Sequence, residues 1–198
     1  MGTSPKHSAR TLAASAAAVC LAIALVSCGD ETGPTGPDPL QLPITWDFDG
    51  GLEGWILDGR SGGDGAGSAS HDQANGWVIL SGHGAPGVAD AWLRRQVTLP
   101  DVDFLWIDAS VVSDCVLGQD QDSRVRIIVT STGGASSVVE DWTTVGHFTL
   151  PGQRVGGSLE AFRGETVTIA IEQDDEGDQQ ESDEREAICV DFVSIFID

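Results

Sequence analysis

The chain has 198 residues, 40% of them hydrophobic, and a formal net charge of −21 at pH 7. This excess of acidic residues repels nucleic acid phosphates and anionic lipid headgroups, which argues against both as partners. The length suits one domain with a hydrophobic core, once a distinct N-terminal segment is set aside.

The N-terminal region predicts a secretory signal peptide. Lys6 and Arg10 stand in a segment without acids, and residues 11–26 are mostly Ala, Leu, Ile and Val before the small Ser27. This apolar run is too short to cross a hydrocarbon core of about 30 Å comfortably. A stretch of Gly, Pro and acids follows it, so we do not expect a retained transmembrane helix.

The sequence Leu25-Val26-Ser27-Cys28 resembles the lipobox of bacterial lipoproteins. The resemblance implies that residues 1–27 are removed and that Cys28 becomes a lipidated N-terminus, with enough acyl chains for stable anchoring. Gly29 resembles the pattern that favours the outer membrane, so we expect an extracytoplasmic protein at a bacterial outer membrane or cell surface. The alternative is a plain secreted protein in which Cys28 is an ordinary thiol.

Residues 28–43 are rich in Gly, Pro and acids and predict a disordered tether. Fully extended at about 3.1 Å per residue, this tether would span roughly 45 Å. Beyond residue 27 the chain keeps eight arginines, 31 acidic residues and no lysine, a net charge of −23. Such a charge favours solubility, and it leaves calcium ions and basic partners open.

From residue 44 to residue 198 the pattern is that of an all-β domain. Short apolar or alternating runs are separated by Gly, Asp, Asn and Pro, without a helical period of any length. This spacing predicts two packed antiparallel sheets, a β-sandwich. The glycine-rich residues 59–70 are expected to form a loop. The predicted strands are 44–48, 76–81, 89–99, 103–113, 124–131, 138–142, 147–150, 166–172 and 187–197.

The lipobox resemblance implies that Cys20 leaves with the signal peptide and that Cys28 carries lipid, so two cysteines remain to pair with each other. Cys115 and Cys189 are therefore expected to form a disulfide in an oxidising exterior. Alternation places both on inward faces of their strands, Cys115 with Leu105, Ile107, Ala109 and Val111, and Cys189 with Asp191, Val193, Ile195 and Ile197. The bond implies that these two strands are antiparallel neighbours.

Residues 46–55 (WDFDGGLEGW) and 189–195 (CVDFVSI) resemble the first and last strands of galactose-binding-like jelly rolls, the fold of many carbohydrate-binding modules. The resemblance implies a jelly roll, often with a structural calcium between those strands, for which Asp47, Asp49 and Asp191 would be ligands. The sequence departs from the family at Phe192, where Asn or Asp is frequent.

Residues 172–183 predict a second calcium-binding segment. Their acids fall at positions 1, 3, 5 and 12 of an EF-hand-like register, with Gly177 at position 6. Oxygen ligands at alternate positions around a glycine turn suit Ca²⁺. The alternative is a solvated acidic loop, since strands rather than helices flank the segment. The four predicted ligands are Glu172, Asp174, Glu176 and Asp183.

Phe104, Trp106 and Phe192 are the predicted ligand-binding residues. Alternation places Phe104 and Trp106 opposite the inward row of their strand, beside Phe192 of the expected neighbouring strand. An outward aromatic patch of this kind could stack on sugar rings or contact a protein, or it could be covered by a loop.

No cluster of residues predicts catalysis. Residues 59–63 (GRSGG) match the G-x-S-x-G motif around Ser61, but glycine rather than a helix follows, which favours a loop. His71, His83 and His147 lie in separate segments without the spacing of a zinc site. We expect a non-catalytic, membrane-anchored binding lipoprotein whose ligand is a glycan. The alternatives are a protein-interaction or envelope-assembly module and, less favoured, a serine hydrolase.

Overall fold

The computed structural model describes residues 38–60, 67–82, 89–113, 115, 123–143, 152–175 and 186–198. All of these lie in one unit, Gly36–Asp198. The predicted signal peptide, Cys28 and most of the tether lie outside the described residues, as do the other predicted residues Ser61, His83, His147, Glu176 and Asp183. Within the described ranges, no helix has the length and apolarity needed to span a bilayer.

Eleven strands and one short 3-10 turn make up the described secondary structure. The strands are β1 (Ile44–Trp46), β2 (Ile56–Gly59), β3 (Ser68–Asp72), β4 (Trp77–Gly82), β5 (Ala89–Thr98), β6 (Leu105–Val112), β7 (Ser123–Ser131), β8 (Ser136–Thr143), β9 (Gln153–Ser158), β10 (Thr166–Asp175) and β11 (Glu186–Ile197). The 3-10 turn, Glu160–Phe162, connects β9 to β10.

The strands form two antiparallel sheets. The six-stranded sheet has the order β3-β4-β11-β6-β9, with β1 also paired to β11, and the five-stranded sheet has the order β2-β5-β10-β7-β8. The predicted all-β, two-sheet antiparallel sandwich is confirmed. Every pairing within the sheets is antiparallel.

Alternating apolar residues from both sheets fill the space between them. Leu93 and Ile169 of the five-stranded sheet and Ile107 of the six-stranded sheet have no exposed surface. Each full burial of such a side chain contributes about 1.5–3 kcal/mol to the free energy of unfolding. Because strand side chains alternate, the residues between these core positions point to the two outer faces of the sandwich.

A β-bulge in β11 changes which of its residues face the core. The register with β6 shifts between Val190 and Phe192. Ile188 and Val190 belong to the core before the bulge, and Val193 belongs to it after the bulge. The prediction that Cys189 faces inward is therefore wrong, because the extra residue, Asp191, reverses the alternation along the strand. Asp191 itself is not a core residue, whereas Ile195 is.

The predicted disulfide is confirmed. Cys115 and Cys189 are bonded, with a Cα–Cα distance of 6.1 Å. Cys115 follows the end of β6 and Cys189 lies near the start of β11, and these strands are antiparallel neighbours as expected. Cys189 is fully buried, although it lies outside the core cluster between the sheets.

Three strands were absent from the sequence prediction: β2, β3 and β9. Residues 59–70 were expected to form a loop, and that expectation is wrong for Gly59, at the end of β2, and for residues 68–70, in β3. β9 contains Gly156 and Gly157 where an alternating strand would carry side chains. A Cβ on Gly157 would lie 2.2 Å from the carbonyl oxygen of Val139, because β9 closely approaches β8 of the other sheet.

Candidate functional site

A row of polar and aromatic residues crosses all five strands of the five-stranded sheet on its outer face. Asp58 is paired with Trp92, and Trp92 is paired with Glu172. Glu172 is in turn paired with Arg126, and Arg126 with Asp141. At about 4.8 Å per strand the row is roughly 19 Å long. We call these five residues the transverse row.

Trp92 supplies the large apolar surface of the transverse row. Its side chain is only partly buried, and it stands between two carboxylates, Asp58 on β2 and Glu172 on β10. An aromatic ring combined with hydrogen-bond acceptors offers both stacking and polar contacts to one ligand. Sequence reasoning did not single out Trp92, because its neighbours in the row come from distant parts of the chain.

Ion pairs hold the charged side chains in place. The Arg94 guanidinium lies 3.0 Å from a carboxylate oxygen of Asp58. Arg126 lies 3.3 Å from Glu172 and 3.5 Å from Asp174. The side chains of Arg126 and Glu172 are 16% and 20% exposed, so this pair is partly shielded from solvent and its geometry is restrained.

The carboxyls of the row differ in how readily they ionise. Arg124 donates from Nε to Oδ1 of Asp141 at 2.6 Å, and this hydrogen bond lowers the pKa of Asp141. Burial raises the pKa of Glu172, an effect that Arg126 opposes and that the neighbouring Asp174 reinforces. Asp141 therefore stays ionised more readily than Glu172.

A second, less polar row lies beside the transverse row. Its members, in strand order, are Ile56, Arg94, Ala170, Ile128 and Val138. Ala170 occupies the central strand and has the smallest side chain of the five, which leaves space between its neighbours. Four of these five residues are apolar, and we call this second row the apolar strip. It runs across the strands beside the transverse row.

The predicted ligand-binding residues lie on the opposite sheet. Trp106 on β6 is paired with Phe196 on β11. The guanidinium carbon of Arg154 lies over the ring of Phe192, 4.5 Å from the ring centroid. Phe104 precedes β6, is 65% exposed and has a φ of 60°. Trp106 and Phe192 point away from the core, as alternation suggested. Their role in ligand binding stays a prediction.

The predicted calcium ligands of the first and last strands lie in neighbouring segments, because β1 is paired with β11. Asp47 and Asp49 lie in the turn after β1, whereas Asp191 lies in the bulge of β11. Glu172 and Asp174 both lie in β10 and are paired with Arg126. Among the described residues, no group of three acidic, histidine or cysteine side chains could hold a metal ion. Calcium binding stays a prediction.

No protein-family model matches the sequence, and no curated protein matches it significantly. Solved structures do match. The chain superposes on the xylan-binding module CBM15 with a TM-score of 0.52 and 10% identity, covering 80% of this chain and 97% of that one. A CBM4 structure matches with a TM-score of 0.45 and 17% identity, covering 74% and 99% of the two chains.

A mannan-recognising carbohydrate-binding module, TmCBM27, also matches with a TM-score of 0.45 and 14% identity, covering 77% of this chain and 94% of that one. Of these three matches, the one to CBM15 has a TM-score above 0.5, and at 10% identity it concerns the fold alone. The chain therefore has the jelly-roll β-sandwich fold that is found in carbohydrate-binding modules.

Proposed function

We propose that this domain is a non-catalytic module that binds a polysaccharide on the outer face of the five-stranded sheet. The observation that carries the proposal is the position of Trp92 between Asp58 and Glu172 in the transverse row. The apolar face of a sugar ring would stack on the indole. Its hydroxyls would donate to the two carboxylates, and charge-assisted hydrogen bonds of this kind are strong and directional.

The shape of the face favours an extended ligand. The transverse row and the apolar strip both run across the strands, over roughly 19 Å, which is long enough for several sugar residues. A chain lying along this direction would contact Trp92 first and Arg126 and Asp141 further along. The fold similarity to a xylan-binding module supports this class of ligand.

The charges of the face favour a neutral polysaccharide. Three arginines on this face, Arg94, Arg124 and Arg126, are each paired with a carboxylate. A uronic acid or sulfated sugar would have to break one of these pairs, and it would approach a chain whose net charge is already −21. Uncharged hydroxyl groups meet no such penalty.

We also propose that the domain is held at a bacterial outer membrane or cell surface by lipid on Cys28, through the tether of residues 28–43. This part of the proposal rests on the lipobox-like sequence that ends at Cys28. Mass spectrometry of the N-terminal peptide from membrane fractions is expected to show an acylated Cys28. An unmodified Cys28 at an intact N-terminal leader would overturn the anchoring proposal.

A protein-interaction module is the second candidate, favoured by the exposure of Ile56 and Val138 at the two ends of the apolar strip. These side chains are 56% and 51% exposed. A protein partner would use them as apolar contacts at the edges of the sheet. The hydrolase alternative depends on Ser61, which lies outside the described residues, and it is not part of the proposal.

Isothermal titration calorimetry with oligosaccharides of xylan, mannan and cellulose tests the proposal. We expect one of the three series to bind, with an affinity that rises with chain length up to the length of the transverse row. Trp92→Ala should weaken binding at least tenfold, because the stacking surface is lost. Trp92→Phe, which keeps an aromatic ring at the same position, is the matched control and should weaken binding much less than Trp92→Ala.

Two outcomes would overturn the proposed site. One is the absence of binding in all three series. The other is equal binding by the Trp92→Ala protein and the wild type, which would place the ligand elsewhere. Tighter binding of uronate-rich polymers than of neutral ones would contradict only the expectation that the ligand is a neutral polysaccharide.

A further inference from the structure

The outer face of the six-stranded sheet contains buried polar side chains. Asp108 and Ser110 on β6 are 9% and 2% exposed, and Ser194 on β11 is 8% exposed. Polar residues on an outer sheet face are normally solvated, so their burial there requires an explanation. Packing in the core does not explain this burial. Ile107 and Ala109 are the residues of β6 that face the core, so Asp108 and Ser110 face away from it.

Four neighbouring outward positions, one on each of four strands, form a floor of three polar residues and a glycine. Ser194 is paired with Asp108, and Asp108 is paired with Gly156 of β9. On the other side of β11, Thr45 is paired with Ser194, and their hydroxyl oxygens lie 2.8 Å apart. Gly156 has no side chain, and a Cβ there would lie 2.2 Å from the carbonyl oxygen of Ile107. The floor is therefore low as well as polar.

Aromatic side chains stand on both sides of this floor. Trp106 and Phe196, which are paired with each other, lie two residues along the strands in one direction. Phe192, covered by the guanidinium of Arg154, lies two residues along β11 in the other direction. At about 3.4 Å per residue the two walls are roughly 14 Å apart. We call the floor and its walls the aromatic trough.

One buried acceptor in the aromatic trough has no donor. Arg154 donates from Nε to Oδ2 of Asp108 at 2.6 Å and also donates to the same oxygen from a terminal nitrogen. The other carboxylate oxygen, Oδ1, is buried without a hydrogen-bond partner. A buried carboxylate oxygen is costly unless a donor reaches it. Its position between aromatic walls is suited to a hydroxyl of a ligand.

We propose that the aromatic trough is a second saccharide-binding site, separate from the transverse row and independent of it. A sugar hydroxyl would donate to Oδ1 of Asp108, and the apolar face of the ring would lie against an aromatic wall. Arg154 is 54% exposed and contacts both Asp108 and Phe192, so a shift of this one side chain opens the trough. The ligand is neutral, because Asp108 already balances the charge of Arg154.

Nuclear magnetic resonance of the tryptophan indole N–H groups separates the two sites. The full chain is labelled with ¹⁵N, and the signals of Trp92 and Trp106 are assigned from the Trp92→Phe and Trp106→Phe proteins. Xylohexaose, mannohexaose and cellohexaose are then titrated separately. We expect the Trp106 signal to shift and saturate with at least one of them, and to do so in the Trp92→Phe protein as well.

The role of Asp108 is tested with Asp108→Asn, which keeps the size of the side chain, and with Asp103→Asn as the matched control. Asp103 is also paired with an arginine, Arg163, but its side chain is 71% exposed. We expect Asp108→Asn to weaken the binding reported by Trp106 at least tenfold and Asp103→Asn to leave it unchanged. If Asp108→Asn does not fold, Phe192→Leu replaces it, with the same expectation.

The possible results assign failure to one site or the other. A Trp92 shift without a Trp106 shift in any titration overturns the second site and leaves the proposed function intact. A Trp106 shift without a Trp92 shift overturns the proposed binding site at the transverse row and supports the second site. Unchanged binding at Trp106 in both Asp108→Asn and Phe192→Leu overturns the aromatic trough as the binding surface.

Discussion

Trp92 lies directly opposite Glu172 in the antiparallel pair formed by β5 and β10. The carboxylate is partly withdrawn from water beside the indole, and burial is the largest influence that raises its pKa. The ion pair with Arg126 opposes this effect without cancelling it. An ionised Glu172 in the folded protein is thus held at some cost in stability.

Replacing Glu172 by glutamine should therefore change how stability depends on pH. In the wild type, the folded pKa lies above the ordinary value of 4.5, so stability falls as pH rises from that value through the folded pKa. The Glu172→Gln protein lacks this loss. The free energy of unfolding of the variant minus that of the wild type, measured by urea denaturation, should therefore increase from pH 4 to pH 7. Glu165→Gln, at an exposed position, is the control, and a pH-independent difference would contradict the prediction.

Loss of the Cys115–Cys189 disulfide should destabilise the domain by about 4 kcal/mol, the chain-entropy estimate for a loop of this size. The bond closes a sequence separation of 74 residues. Urea denaturation of the Cys115→Ala, Cys189→Ala double variant measures the loss. Dithiothreitol should lower the stability of the wild type to that of the variant and leave the variant unaffected. Equal midpoints for oxidised and reduced wild type would refute this.

Gly157→Ala should destabilise the fold by about 1–3 kcal/mol, the usual cost of forcing extra atoms into a packed interior. The new methyl would meet the carbonyl oxygen of Val139 at 2.2 Å, which the backbone of β8 cannot easily avoid. Gly133→Ala is the matched control, because its Cβ would meet only Ser131 Oγ at 3.6 Å. Thermal unfolding followed by circular dichroism compares the two. Equal melting temperatures would mean that β8 and β9 are not in close contact.

Calcium should raise the melting temperature if the acidic residues bind it in solution. Binding to the folded state alone contributes about 2.7 kcal/mol at a free concentration one hundred times Kd. Differential scanning fluorimetry with calcium, with a chelator, and with magnesium at equal ionic strength makes the comparison. Equal responses to both cations would show charge screening instead of a specific site.

Alternation predicted the buried strands well and the edge strands poorly. The strands with continuous apolar alternation, such as β6 and β10, were placed within a few residues of their observed limits. β2 and β9 lie at sheet edges, where polar residues and glycine suffice because one side of each strand has no neighbour in its sheet. Their sequences therefore carry little of the alternation that identifies a strand.

The transverse row could not have been predicted from the sequence. Asp58, Trp92 and Arg126 are separated by more than thirty residues from one another, and only the pairing register brings them into line. Register depends on contacts between whole strands, which no local pattern specifies. The disulfide was predictable because few cysteines were available to pair. The direction in which Cys189 points was not, since a single extra residue in β11 reverses it.

That extra residue, Asp191, lets one strand satisfy two geometric demands of opposite phase. Before it, the odd-numbered Cys189 points outward to meet Cys115, and after it the even-numbered Ser194 points outward to meet Asp108. With strict alternation, an outward Cys189 would turn Ser194 into the apolar interior and bring Val193 to the surface. The bulge takes Asp191 out of the alternation, and this keeps the covalent link and the polar floor on the same side of the sheet.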